Sequence, residues 1–169
     1  MKFYVFLAFT AISCQQIDIP LERERGIKQF ESDSLVEAIK TFAKIIKATD
    51  TCSSCFLYRG FSYKGLGNFD EAIRDFDSFI QLGTSQALGY ANKASIYYLQ
   101  KDYKRSLINF QKALSLEPEN KALFNPISHM LYATGKKDSA CIYFQKSNAV
   151  GDTIFDRKIT EYCRQNGYL

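Results

Sequence analysis

The 169-residue chain is predicted to be all-α, a stack of helical hairpins, and three observations carry that prediction. Phenylalanine recurs at Phe42, Phe76, Phe110 and Phe144, a constant interval of 34 residues. Four residues before each stands a small side chain, Ala38, Ala72, Ser106 and Ala140, followed by apolar Ile39, Ile73, Leu107 and Cys141. A second small row lies upstream at Gly26, Gly60, Ala94 and Ser128, with Phe56, Tyr90 and Phe124 preceding the last three. A period of this length marks supersecondary units that bury their apolar faces against one another.

Each unit divides into two helices. Ala38, Phe42 and Ile45 are spaced i, i+4, i+7, which places them on one face of a helix, and Phe56, Gly60 and Tyr63 share that spacing. A bulky ring opposite a Gly or Ala is the alternation that native packing density requires.

The units fall at 19–52, 53–86, 87–120 and 121–154. In the first, Glu22 and Gln29 replace the upstream aromatics, so its first helix is expected to fray. The second is the most regular, and Gly67-Asn68 is the turn that closes its hairpin. The third repeats the frame through Tyr90, Ala94, Tyr97, Tyr103, Phe110 and Ala113. In the fourth, Lys137 stands where Phe69 and Tyr103 are aromatic, and Asn125-Pro126 reads as an N-cap and first-turn proline that shorten the first helix. Residues 155–169, with Ile159 and Tyr162 three apart, are expected to form a final capping helix.

This frame resembles the tetratricopeptide repeat (TPR). The match is best over Phe56 to Tyr63, Gly67 to Ile73 and Phe76, and Pro118 stands at the family's helix-ending proline. The resemblance implies a solenoid whose first helices line a concave groove. Carried onto this chain, the groove positions are Arg23, Ile27 and Phe30; Leu57, Phe61 and Lys64; Ala91, Asn92, Ser95 and Tyr98; and Asn125, His129 and Tyr132. Exposed aromatics at such positions mark contact with a peptide or protein partner; the competing reading is that they only cover neighbouring helices. The carboxylate clamp of TPR co-chaperones is missing: Ser54, Leu88 and Ala122 occupy a position that needs lysine, and Tyr58 one that needs asparagine.

Residues 1–13 have the order of a secretory signal: Met1-Lys2, an apolar run from Phe3 to Ile12 broken by Thr10, then Ser13. The run is about half of the roughly 20 apolar residues that a membrane span requires. Ala11-Ile12-Ser13-Cys14 also looks like the lipobox of bacterial lipoproteins, with Ala11 where Leu is usual. That resemblance implies lipid attachment at Cys14, a tether over 14–21 and a repeat domain over 22–154. Acyl chains at Cys14 would hold the chain on a membrane without a span. No Asp follows Cys14, which by the same resemblance favours the outer membrane, with either face open. The alternatives are a plain signal peptide on a soluble exported accessory protein, or an N-terminal element that packs.

The composition, 46% hydrophobic and 24% charged, fits one globular domain. Its 22 basic residues are interspersed with 18 acidic ones, so nucleic acid is not suggested. If Cys14 is lipidated, four cysteines remain, and their local pairing is Cys52 with Cys55 and Cys141 with Cys163. The spacing of Cys52-Ser53-Ser54-Cys55 leaves three readings open: a structural disulfide, free thiols, or a thiol-disulfide enzyme whose helix N-terminus lowers a thiol pKa. Metal, cofactor and small-molecule chemistry find no support. His129 is the single histidine, and no GxSxG, HExxH or phosphate-cradling motif is present.

Overall fold

The structure is a computed structural model and describes residues 17–151 and 156–169. Among these residues it is all-α, as the period predicts. Four antiparallel hairpins follow in order: α1 (Ile19–Glu31) with α2 (Leu35–Ala48), α3 (Ser53–Gly65) with α4 (Phe69–Gln81), α5 (Gln86–Leu99) with α6 (Tyr103–Leu116), and α7 (Phe124–Ala133) with α8 (Lys137–Ala149). A last helix, α9 (Arg157–Gln165), packs on α8. Each helix touches the one before and the one after it, so the core is a continuous seam rather than a single centre.

The repeated phenylalanines are that seam. Phe42 and Phe76 are fully buried, and Phe110 and Phe144 nearly so. The glycines opposite them are required by closeness: a Cβ on Gly26 would lie 2.8 Å from the Phe42 ring, and one on Gly60 would lie 2.9 Å from Phe76. In the later units Ser128 stands in the glycine row and Ser106 in the row of Ala38 and Ala72, and each buries its hydroxyl by donating to a backbone carbonyl of the partner helix, Ala140 and Ala94 respectively.

The turn inside each hairpin also keeps the period. Asp33, Gly67, Lys101 and Gly135 all have positive φ, at 58°, 76°, 61° and 84°. The next residue in each case, Ser34, Asn68, Asp102 or Lys136, donates its N–H back five residues to the carbonyl of Gln29, Tyr63, Tyr97 or Leu131. This is the Schellman closure, which satisfies carbonyls that a helix end leaves open.

Two expectations for the end units are corrected. The first helix does not fray: α1 runs for 13 residues behind an Asp18 cap that accepts from the Leu21 N–H. The two polar residues that replace aromatics are tied down, Glu22 by Lys44 at 3.0 Å and Gln29 by the Thr41 hydroxyl at 2.7 Å. Polar contacts to α2 thus take the place of ring packing. In the fourth unit α7 is short, with 10 residues, but Asn125 is not its cap. A 3₁₀ turn over Lys121–Leu123 leads in, the helix starts at Phe124, and Pro126 is its third residue. Proline is tolerated there because first-turn N–H groups have no intrahelical acceptor.

Candidate functional site

The first-helix face is built unevenly from the residues assigned to it. At its N-terminal end, Ile27 and Phe30 of α1 pack against the buried cluster of Ala38, Phe42 and Ile45. Phe30 stacks on Phe61 at 6.0 Å and meets Tyr58 edge-on at 5.5 Å. Leu57 and Phe61 of α3 pack against Ala72 and Phe76. These four side chains are therefore half-buried, and part of what they do is cover neighbouring helices. Arg23 is exposed.

Lys64 is half-buried on α3, and its ammonium lies over the Phe61 ring at 5.8 Å. Burial pushes its pKa below the ordinary lysine value, since desolvation penalises the charged form. It has no ion-pair partner among the described residues. The neighbouring cations are paired: Arg59 grips Asp75 with two hydrogen bonds of 2.8 and 2.6 Å, and Lys93 reaches Asp77 at 2.5 Å.

In the middle of the face α5 presents apolar surface. Leu88, Tyr98 and Leu99 are 40%, 49% and 53% exposed. Asn92, assigned to the groove from sequence, is instead buried and donates to the Leu88 carbonyl at 2.9 Å. Between α5 and α7 lies a cleft of about 330 Å³. Ser95, Tyr98, Ala122, Asn125, Pro126 and His129 wall it, and buried Phe110 and Met130 lie beneath. The late start of α7 sets its shape, because Ala122 and Pro126 stand where a longer helix would place a full first turn. Two polar groups of the cleft wall are engaged within the protein: the Ser95 hydroxyl donates to the Ala91 carbonyl at 3.1 Å, and His129 Nδ1 lies 3.3 Å from an Asp156 carboxylate oxygen. Asn125 is nearly fully buried and already bonded.

Tyr132 is not an open groove residue. Its ring meets Tyr162 of α9 edge-on at 6.0 Å, and the Lys137 ammonium lies over both rings at 5.4 and 5.1 Å. The frame alone did not show this, because α9 lies outside the repeat.

The cysteines lie away from this face's cleft. Cys52 and Cys55 are joined at the start of α3, with Cα atoms 5.3 Å apart, and Cys141 and Cys163 join α8 to α9 with Cα atoms 5.5 Å apart. Cys55 is fully buried in the cluster of Ala38, Phe42 and Ile45. Cys52 is the half-buried N-cap of α3, so the bond closes the first turn of that helix where it packs on the α2 cluster. Cys14 lies outside the described residues. Among those residues, no group of His, Cys, Asp or Glu is arranged to hold a metal, and no helix is long and apolar enough to cross a membrane.

Residues 54–82 and 87–120 each match models of the tetratricopeptide repeat. The chain is 27% identical over 106 residues to the Hsp70-Hsp90 organizing protein of Triticum aestivum, an overlap of 63% of this chain and 18% of that protein. Over 99 residues it is 31% identical to Superkiller complex protein 3 of Homo sapiens, covering 59% of this chain and 6% of that one. The chain thus spans at most about a fifth of the length of the first of these curated relatives.

Among solved structures it resembles MamA, with a TM-score of 0.71 and 19% identity over 80% of this chain and 74% of that chain. It also resembles the first TPR of Spaghetti (RPAP3) bound to the HSP90 peptide SRMEEVD, with a TM-score of 0.64 and 21% identity over 69% and 93%. A third likeness is to YrrB, a TPR protein with an unusual peptide-binding site, with a TM-score of 0.68 and 15% identity over 78% and 68%. The fold is a tetratricopeptide-repeat solenoid.

Proposed function

We propose that this chain is a non-enzymatic interaction scaffold that holds a peptide or partner-protein segment along its first helices. The observation that carries the reading is the α5–α7 cleft, walled by half-exposed Tyr98 over buried Phe110 and Met130, on a helix that also leaves Leu88 and Leu99 exposed. Large apolar side chains left exposed around a concave site mark a contact surface. That the Spaghetti repeat is described with a bound peptide, and YrrB with a peptide-binding site, supports the same use of the fold.

The chain is further proposed to be exported and held at the bacterial cell envelope by lipid on Cys14, on the outer membrane. Support comes from the signal-like order of residues 1–13 and the lipobox-like residues ending at Cys14. Two disulfides fit an oxidising compartment.

Two experiments test the reading. A photo-crosslinking amino acid at Tyr98, introduced in cells, should give a discrete adduct that the same group at Lys112 on α6 does not. Equal labelling from both positions would remove the groove as the contact surface. For the anchor, Cys14→Ser should release the protein from membranes and abolish incorporation of labelled fatty acid; unchanged fractionation and labelling would exclude it.

A further inference from the structure

Lys64 and the α5–α7 cleft are two chemically different features of one face. Lys64 and Tyr98 occupy the same frame position one repeat apart, and Tyr98 is a wall of the cleft. Lys64 is a half-buried cation with no anion beside it among the described residues, whereas the comparably buried Arg59 and Lys93 each have one. A desolvated ammonium in that position is complementary to a carboxylate. The cleft is the opposite case: the Ser95 hydroxyl and the His129 Nδ1 are engaged within the protein, and its lower surface is Phe110 and Met130. It suits an apolar side chain.

We infer that this face reads an internal acidic-apolar segment, with an Asp or Glu side chain on Lys64 and a large apolar side chain in the cleft between α5 and α7. The inference rests on the groove reading proposed above. Adjacent packed helices lie about 8–10 Å apart, and an extended peptide advances about 3.3 Å per residue. Lys64 is on α3 and the cleft lies beyond α5, one and a half such spacings or about 12–15 Å away, so the two side chains should be separated by about four residues. Because the clamp that would take a chain terminus is missing, a free C-terminal carboxylate is not required.

The test uses the purified full-length chain and fluorescein-labelled twelve-residue peptides, acetylated and amidated so that no terminal charge remains. Each carries one Glu and one Leu at separations from one to six residues in a Gly-Ser-Gln background. Fluorescence anisotropy should show the tightest binding near a separation of four. Replacing Glu by Gln should cost about tenfold in affinity with the native chain and almost nothing with Lys64→Gln. Ala122→Phe, which fills the exposed side of the cleft, should remove the preference for Leu and leave the Glu dependence in place.

Binding that ignores separation, or a Glu dependence that survives Lys64→Gln, would overturn the two-point inference while leaving the scaffold standing. Binding only to peptides with a free C-terminus would overturn it in favour of end capture. Absence of binding to every peptide overturns it as well, and the Tyr98 crosslink then decides separately whether the groove contacts a partner at all.

Discussion

The hydroxyl of Ser106 donates to the carbonyl of Ala94 over 2.9 Å, joining the two small-residue rows of the third hairpin. In the fourth hairpin the direction reverses, with Ser128 on the first helix donating to Ala140 on the second, also over 2.9 Å. A buried hydroxyl at either row therefore finds a carbonyl on the facing helix. Ser106→Ala should lower stability by about 1 kcal/mol, the usual net worth of such a bond. Ser106→Leu should cost about 1–3 kcal/mol through overpacking, and urea unfolding of the two variants separates these effects.

Phe76 and Gly60 should behave as a coupled pair. Phe76→Ala removes a fully buried ring and is expected to cost about 3–5 kcal/mol. Gly60→Ala drives a methyl group into that ring and should cost about 1–3 kcal/mol. In the double variant Gly60→Ala with Phe76→Ala, the truncated side chain makes room for the new methyl. Its loss should fall short of the sum of the single changes in chemical denaturation, and strict additivity would show that the two side chains do not meet.

Lys101→Gly should stabilise the chain. The lysine holds φ at 61° in a turn that two other units build on glycine. Left-handed backbone costs an L-residue about 1–2 kcal/mol, and glycine's extra unfolded-state entropy offsets up to about 1 kcal/mol of the relief. A net gain of about 0.5 kcal/mol is expected, read as a higher thermal midpoint. Gly67→Ala should move the midpoint down.

The two disulfides should differ in weight. Cys141 and Cys163 are 22 residues apart, and closing a loop of that size is worth about 3 kcal/mol in the chain-entropy account. The Cys52–Cys55 loop spans a separation of 3 and is worth about 2 kcal/mol on the same account. Mass spectrometry without reductant should find neither pair as free thiols. Cys141→Ser with Cys163→Ser should raise proteolysis within 157–165 before it affects the first two units.

Lys64 gives a pH prediction. Burial lowers its folded-state pKa below that of the unfolded chain. The charged form is thus the one that folding disfavours, so its cost is present below the folded pKa and is relieved as pH rises through that value toward the unfolded one. Stability should rise slightly with pH in the alkaline range. Lys64→Met should lose that rise and unfold no earlier than the parent at neutral pH. A clear fall in its thermal midpoint would mean that the ammonium has a stabilising partner.

The hairpin order and the buried phenylalanines were legible in the sequence because close packing leaves a record every 34 residues: small residues at Gly26 and Gly60, rings at Phe42 and Phe76. The row of left-handed turn residues kept the same period but was partly hidden, since Lys101 does not read as a turn former and Asp33 marks a turn less sharply than glycine. The intact α1 was missed because Glu22 and Gln29 find partners on α2, which a pattern of apolar residues does not register. On the candidate face the frame distinguished seam from surface only coarsely. Asn92 turned inward to a carbonyl of its own helix, and Tyr132 was taken by Tyr162, from a segment with no place in the repeat. The cleft itself depends on where α7 starts, and that is set by a 3₁₀ turn the period does not encode.

Helix α9 covers the end of the stack: Ile159 and Cys163 are buried against Phe144, and the Gln145 amide donates to the Tyr168 carbonyl. An uncovered last hairpin would present an apolar face able to meet the first hairpin of another copy, and such head-to-tail contacts build open filaments. With that end sealed and tied by Cys141–Cys163, growth in that direction is blocked. The fold therefore carries its own chain terminator, and assembly from this end would require the disulfide to open first.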